Sequence, residues 1–173
     1  MTDNVYLGNP NLKKANTPHE FTEEQVIEFI KCKNDPVYFA KKYIKIVSLD
    51  EGLTQFHPYD FQETLIKRFH ENRFNICKMP RQTGKSTTSV SYLLHYAVFN
   101  DSTNIGILAN KAATARDLLG RLQTAYENLP KWMQQGIISW NKGSLELENG
   151  SKILAASTSA SAVRGMSFNI LFL

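Results

Sequence analysis

Cysteine is scarce in this chain: Cys32 and Cys77 are the two present, too few for a disulfide framework, and neither has a second Cys or a His at metal-ligand spacing. A reducing cytoplasm suits such a sequence. Long apolar runs are lacking too. The N-terminus, MTDNVYLGNPNLKKANTPHEF, is polar and interrupted by prolines, which excludes a signal peptide or membrane span there and predicts a soluble, untargeted protein. No internal repeat is visible, and no block of one charge sign stands out. Lys and Arg number 20 against 16 Asp and Glu, a net charge of +4 that suits a polyanionic partner but is also common on solvated faces. What remains is ordinary globular material, 42% hydrophobic over 173 residues, enough to bury one core and too apolar for a disordered chain.

Residues 1–21 carry no apolar periodicity and read as an arm. From Thr22 the pattern turns helical: Thr22 and Gln25 have capping-box spacing, and Val26, Ile27, Phe29 and Ile30 fall on one face of a helix reaching about Lys33. Asp35 ahead of Pro36 starts a second helix with Val37, Phe39, Ala40 and Tyr43 as its stripe. A loop through Gly52 and Pro58 leads to a third, from Tyr59 to about Asn72, with Phe61, Leu65, Ile66 and Phe69 on one side. Short apolar runs then alternate with helices, the rhythm of a parallel sheet with crossovers. Strands are predicted at Phe74–Met79 and Asn104–Ala109, and helices from about Lys85 to Phe99 and from about Ala112 to Glu127, the latter with Asn110 as cap. LELENGSKIL places Asn149 and Gly150 between two alternating segments and predicts a β-hairpin, since both residues tolerate positive φ. A Ser/Ala-rich loop, STSASAVRGMS, precedes a last apolar run from Asn169 to Leu173. The organisation is a helical lead-in over 1–58 and an α/β domain over 59–173.

The strongest signal is MPRQTGKST, Met79 to Thr87, between a predicted strand and a predicted helix. A triphosphate requires backbone N–H groups converging at a helix N-terminus, where the dipole also favours negative charge, and Gly84 lets the backbone approach closely. Pro80, Arg81, Gln82, Thr83 and Gly84 would form the cradle. Lys85 would reach the β and γ phosphates of ATP. Ser86 would place its hydroxyl on Mg²⁺, with Thr87 as a weaker substitute. The usual G-x-x-x-x-G-K-[ST] pattern has glycine where this chain has Met79. Arg81 inside the loop could clamp the γ-phosphate or carry nucleotide state to its neighbours.

PRQTGKST resembles the deviant phosphate loop of large terminase subunits, which place arginine in the loop and often lack its first glycine. GILANKAATARDLLGRL, LPKWMQQGIISWNKGSLELENGSKI and STSASAVRGMSFNILFL are similar to successive segments of the terminase ATPase from T-even-type phages, and the likeness runs from about Tyr59 to Leu173. The resemblance implies an ASCE/RecA-like P-loop NTPase fold after a small helical segment. It implies an ATPase, hence a hydrolase, that drives double-stranded DNA into a procapsid. The implied partners are a portal protein, a small terminase subunit and copies of itself in a homo-oligomeric ring, in the host cytoplasm and without a membrane. Gln62 falls at the place of the adenine-recognition glutamine, with Phe61 or Tyr59 supporting the ring; a lone helical Gln is otherwise a solvated residue. Arg164 matches the place of an arginine finger, with binding of a carboxylate or DNA phosphate as the alternative. Asn110 and Lys111 resemble a motif coupling ATP state to DNA.

In such ATPases an Asp-Glu pair follows the strand after the finger loop, the Asp holding Mg²⁺ and the Glu orienting water. Here the run NILFL ends at Leu173, so the expectation is a partial product, without a nuclease domain, that binds nucleotide weakly and hydrolyses it negligibly. A superfamily-2 helicase-like ATPase is the runner-up, and a nucleotide-independent DNA-binding module the third reading.

Overall fold

The computed structural model describes residues 4–48, 50–159 and 165–173. The arm is not loose. After a 3-10 turn at Tyr6–Gly8, Leu12 is buried, Lys13 N–H donates to Gln134 Oε1 at 3.0 Å, and Gln134 Nε2 returns a bond to Asn11 O at 3.0 Å. Glu148 holds the next residues, accepting from Asn16 N–H at 2.9 Å and Gly136 N–H at 2.6 Å.

Helix α1 spans Glu23–Asn34 and opens with both halves of the expected capping box, Gln25 N–H to Thr22 Oγ1 and Thr22 N–H to Gln25 Oε1, each 3.2 Å. Its expected apolar face is only partly used. Phe29 packs on Phe99 at 4.8 Å between ring centres, whereas Val26, Ile27 and Ile30 are exposed and Cys32 is the buried residue. The reason is orientation: α1 leans on α2 (Pro36–Tyr43) through Glu28, which accepts from the Tyr38 and Tyr43 hydroxyls at 2.9 Å and pairs with Lys42 at 2.8 Å. Asp35 Oδ1 caps α2, accepting from Val37 and Tyr38 N–H at 2.9 Å. The loop expected next is instead an antiparallel ribbon, β1 (Lys45–Ser48) with β2 (Gly52–Gln55). Gly52, at φ 70°, opens the second strand in a conformation that favours glycine.

Helix α3 covers Asp60–Glu71 and α4 covers Lys85–Phe99. Nearly every residue of α4 from Thr88 onward is buried, because α2, α3 and α5 (Ala112–Glu127) all pack against it. The sheet runs β4 (Ile137–Trp140), β5 (Ser144–Leu147), β6 (Lys152–Ser157), β3 (Asn104–Ala109), β7 (Ile170–Phe172). β3 lies inside the sheet, parallel to both β6 and β7, and its NIGILA run is apolar on both faces, as a doubly covered parallel strand requires. Gly106 allows the close fit of β7: a Cβ there would stand 2.8 Å from Leu171 Cδ1 and 3.1 Å from the Phe168 ring. β4 and β5 add an antiparallel margin that the βαβ rhythm did not announce. The expected hairpin is present as β5–β6, but its connection is four residues, 148–151, with positive φ at Gly150 and not at Asn149. The arm lies along the far side of β4, Ile137 N–H donating to Lys13 O at 2.8 Å.

One expected strand is missing. Phe74–Met79 is extended but pairs with no strand among the described residues; Phe74 and Ile76 are exposed, Ile76 completely. A strand exists only by pairing. Between this segment and the free edge of β7 lies a cleft of about 640 Å³, lined by Phe69, Tyr92, Cys77, Lys85, Ile170 and Phe172 among others. The expected cap of α5 also differs: Lys111 precedes the helix without a side-chain bond, and Asn110 stands exposed one residue earlier. Among the described residues no helix is long and apolar enough to cross a membrane.

Candidate phosphate-binding site

The segment from Met79 to Gly84 leaves the extended stretch, turns over Arg81 and Gln82, and enters α4. Two residues make the reversal. Gln82 has φ 61° and Gly84 φ 73°, and left-handed residues spaced in this way tilt successive N–H groups toward one side, a concavity suited to an anion. Gly84 is the N-cap of α4 and offers no side-chain acceptor; the first turn, Lys85, Ser86 and Thr87, contains no acid. Among the described residues nothing therefore competes for the leading amides of α4, which carry the positive end of the helix dipole.

Lys85 turns its ammonium back into the loop, donating to Met79 O at 3.1 Å and also to Pro80 O. Thr83 Oγ1 donates to Pro80 O at 3.0 Å, and Thr88 Oγ1 to Gly84 O at 3.0 Å, so the loop carries its own internal bracing. Ser86 and Thr87 are half-buried in the first turn, and Ser86 lines the cleft together with Lys85. Arg81 is exposed at the crest. Among the described residues no cluster of three His, Cys, Asp or Glu side chains is placed to hold a metal; a cation here would rely on the Ser86 hydroxyl and on oxygens of its ligand.

Gln62 enters this site from α3. It is 4% exposed, its Oε1 accepts from Tyr59 N–H at 2.9 Å, and its Nε2 donates to Thr83 O at 3.1 Å. Tyr59 and Phe61 stack beside it, ring centres 5.7 Å apart and 12° from parallel, both exposed. The sequence-predicted residues from Pro80 to Thr87 and Gln62 thus meet in one place. Arg164 lies outside the described residues. Sequence reasoning missed the bond from Gln62 to the loop, because it spans 21 positions; the Tyr59-x-x-Gln62 spacing signalled only the reach back to Tyr59.

The family model for the N-terminal part of the T4-like-virus type of terminase large subunit matches residues 76–173, more than half of the chain. The chain belongs to this terminase family. Its fold agrees with the crystal structure of the HK97 bacteriophage large terminase at a TM-score of 0.65, with 17% identity, over 80% of this chain and 30% of that one. The chain therefore spans under a third of that terminase's length. The α/β class inferred from the βαβ rhythm is the one found, with a mixed sheet, and the matched region takes in the whole Met79–Thr87 segment, α4 and the five-stranded sheet.

Proposed function

We propose that the loop from Met79 to Thr87 binds the triphosphate of MgATP, and that this terminase region serves the ATP-driven movement of double-stranded DNA into a procapsid. The observation that carries the reading is the entry into α4: an uncapped helix start behind a left-handed Gly84, with the Lys85 ammonium held inside the loop by the carbonyls of Met79 and Pro80. Those carbonyls keep the ammonium where the outer phosphates would lie, so exchanging them for phosphate oxygens requires little movement. The amides at the start of α4 supply donors for the inner phosphates. Ser86 would hold Mg²⁺, which neutralises phosphate charge when bound. Arg81, exposed at the crest, would meet the terminal phosphate, and the Tyr59–Phe61 stack would offer a flat surface for a base.

The hydrolytic step, the finger role of Arg164 and the partners belong to the same proposal: a ring of copies on the procapsid, with portal and small subunit, in the host cytoplasm. Membership of the terminase family favours DNA packaging over the helicase-like alternative. Calorimetry of the 173-residue chain with Mg²⁺ and a non-hydrolysable ATP analogue tests it. Saturable heat is expected, and Lys85→Ala should weaken binding by at least about tenfold, the loss of one charge-assisted hydrogen bond. A folded wild-type chain giving no heat, or a Lys85→Ala variant binding equally well, overturns the assignment.

A further inference from the structure

A glutamine that reads an adenine edge needs its amide free to face the base. The Gln62 amide is buried and half committed: one acceptor position is taken by Tyr59 N–H, one donor position by Thr83 O. The commitment joins two elements that share no backbone hydrogen bond here, the first turn of α3 and the last residue before Gly84. The fit is close as well. A Cβ at Gly84 would stand 2.4 Å from Gln62 Nε2, so the glycine is required both by its φ of 73° and by the space the amide fills.

We infer that Gln62 is a positioning residue for the phosphate loop, a latch that holds the Thr83 peptide in the orientation its neighbours need to present their amides to an anion. The Thr83 carbonyl is drawn toward α3, so the N–H of the same peptide unit, which belongs to Gly84, is turned the opposite way, toward the concave side of the loop. Gln62 thereby acts on the phosphates whatever base is attached. Both Gln62 atoms make backbone bonds, so the geometry survives changes at exposed Arg81 and Gln82. The inference deepens the nucleotide-binding proposal, while the latch itself is testable without nucleotide.

The discriminating substitution is Gln62→Glu. The new carboxylate keeps the oxygen that accepts from Tyr59 N–H, so the start of α3 is preserved, but it cannot donate to Thr83 O. Backbone amide exchange over residues 81–88, followed by mass spectrometry in the nucleotide-free chain, should speed up by roughly tenfold, as expected for the loss of one buried hydrogen bond. Binding of magnesium tripolyphosphate, which has no base, and of the ATP analogue should weaken by the same factor. Gln62→Met, close in volume, uncharged and unable to donate to Thr83 O, should reproduce the exchange effect should Gln62→Glu fold poorly. Unchanged exchange in both variants overturns the latch. So does a loss confined to the ATP analogue with tripolyphosphate binding intact, which would make Gln62 a base reader alone. If the wild-type chain binds neither ligand, the nucleotide proposal fails, and the exchange measurement still decides the latch.

Discussion

His95 shows how one side chain can make the core sensitive to acid. It is 2% exposed on α4, packed among Phe39, Phe99 and Tyr92, with Nε2 bonded to Cys32 O at 2.8 Å and Nδ1 without a partner among the described residues. Burial pushes its pKa down to about 4; the bond to the Cys32 carbonyl and the charge of Asp35 oppose this, and His70 adds to it. The native imidazole is therefore neutral across the range where an unfolded histidine, titrating near 6.5, takes up a proton. Above pH 6.5 neither state is protonated and stability is unaffected. As pH falls from 6.5 toward 4 the unfolded state gains a proton that the folded state refuses, and stability drops by on the order of 3 kcal/mol, with no further loss from this group below 4. Urea denaturation at pH 7 and pH 4.5 checks this. His95→Gln, close in volume and without a titrating group, should show a smaller pH dependence than wild type, and equal slopes for the two proteins would dismiss the account.

At the scale of elements, the turn between β5 and β6 does more than reverse the chain. Asn149 Nδ2 donates to Ala97 O at 2.9 Å and Asn100 O at 3.1 Å, satisfying carbonyls at the end of α4, while Ser151 Oγ donates to Asn100 O at 2.8 Å. Helix ends leave such carbonyls without internal partners. Asn149→Ala should destabilise the fold by about 1–3 kcal/mol, read as a lower urea midpoint at unchanged slope; a midpoint equal to wild type would leave the anchoring role without support. Much of this level was legible in the sequence. The capping box at Thr22 and the Asp35-Pro36 start are local chemistry and stand where they were read. α4, β3 and α5 fall within a residue of expectation, because periodicity and length are properties of the segment itself. What escaped depends on neighbours. The Val26, Ile27 and Ile30 stripe faces solvent because α1 is tied down through Glu28, Phe74–Met79 stands off from the edge of β7 across the cleft, and the β1–β2 ribbon and β4 are too short to carry a pattern. The Met79–Thr87 turn into α4 was legible as a linear motif, whereas its brace from Gln62 was not.

Across the whole molecule the two margins of the sheet are treated differently. At β4 the arm supplies backbone bonds and the buried Leu12, covering that edge. At β7 the outer edge faces the cleft, which Leu173 also lines, and the segment opposite bares the apolar side chains of Phe74 and Ile76 to solvent. An open apolar edge favours association with other chains. The 173-residue chain should therefore self-associate as its concentration rises, and Ile76→Asp, which alters a fully exposed side chain and should leave the fold intact, should reduce that tendency. Sedimentation velocity over a concentration series decides it: a monomer at every concentration, or identical behaviour of the variant, would remove the edge from consideration.

The two thiols sit in opposite settings. Cys32 is sealed under α1, and burial, with the charge of Glu28, pushes its pKa up to about 12, so it is scarcely nucleophilic at neutral pH; Cys77 is exposed on the wall of the cleft shared with Lys85. A maleimide dye meets one reactive address without any engineering, and its emission would report directly on whatever enters the space beside the Met79–Thr87 loop.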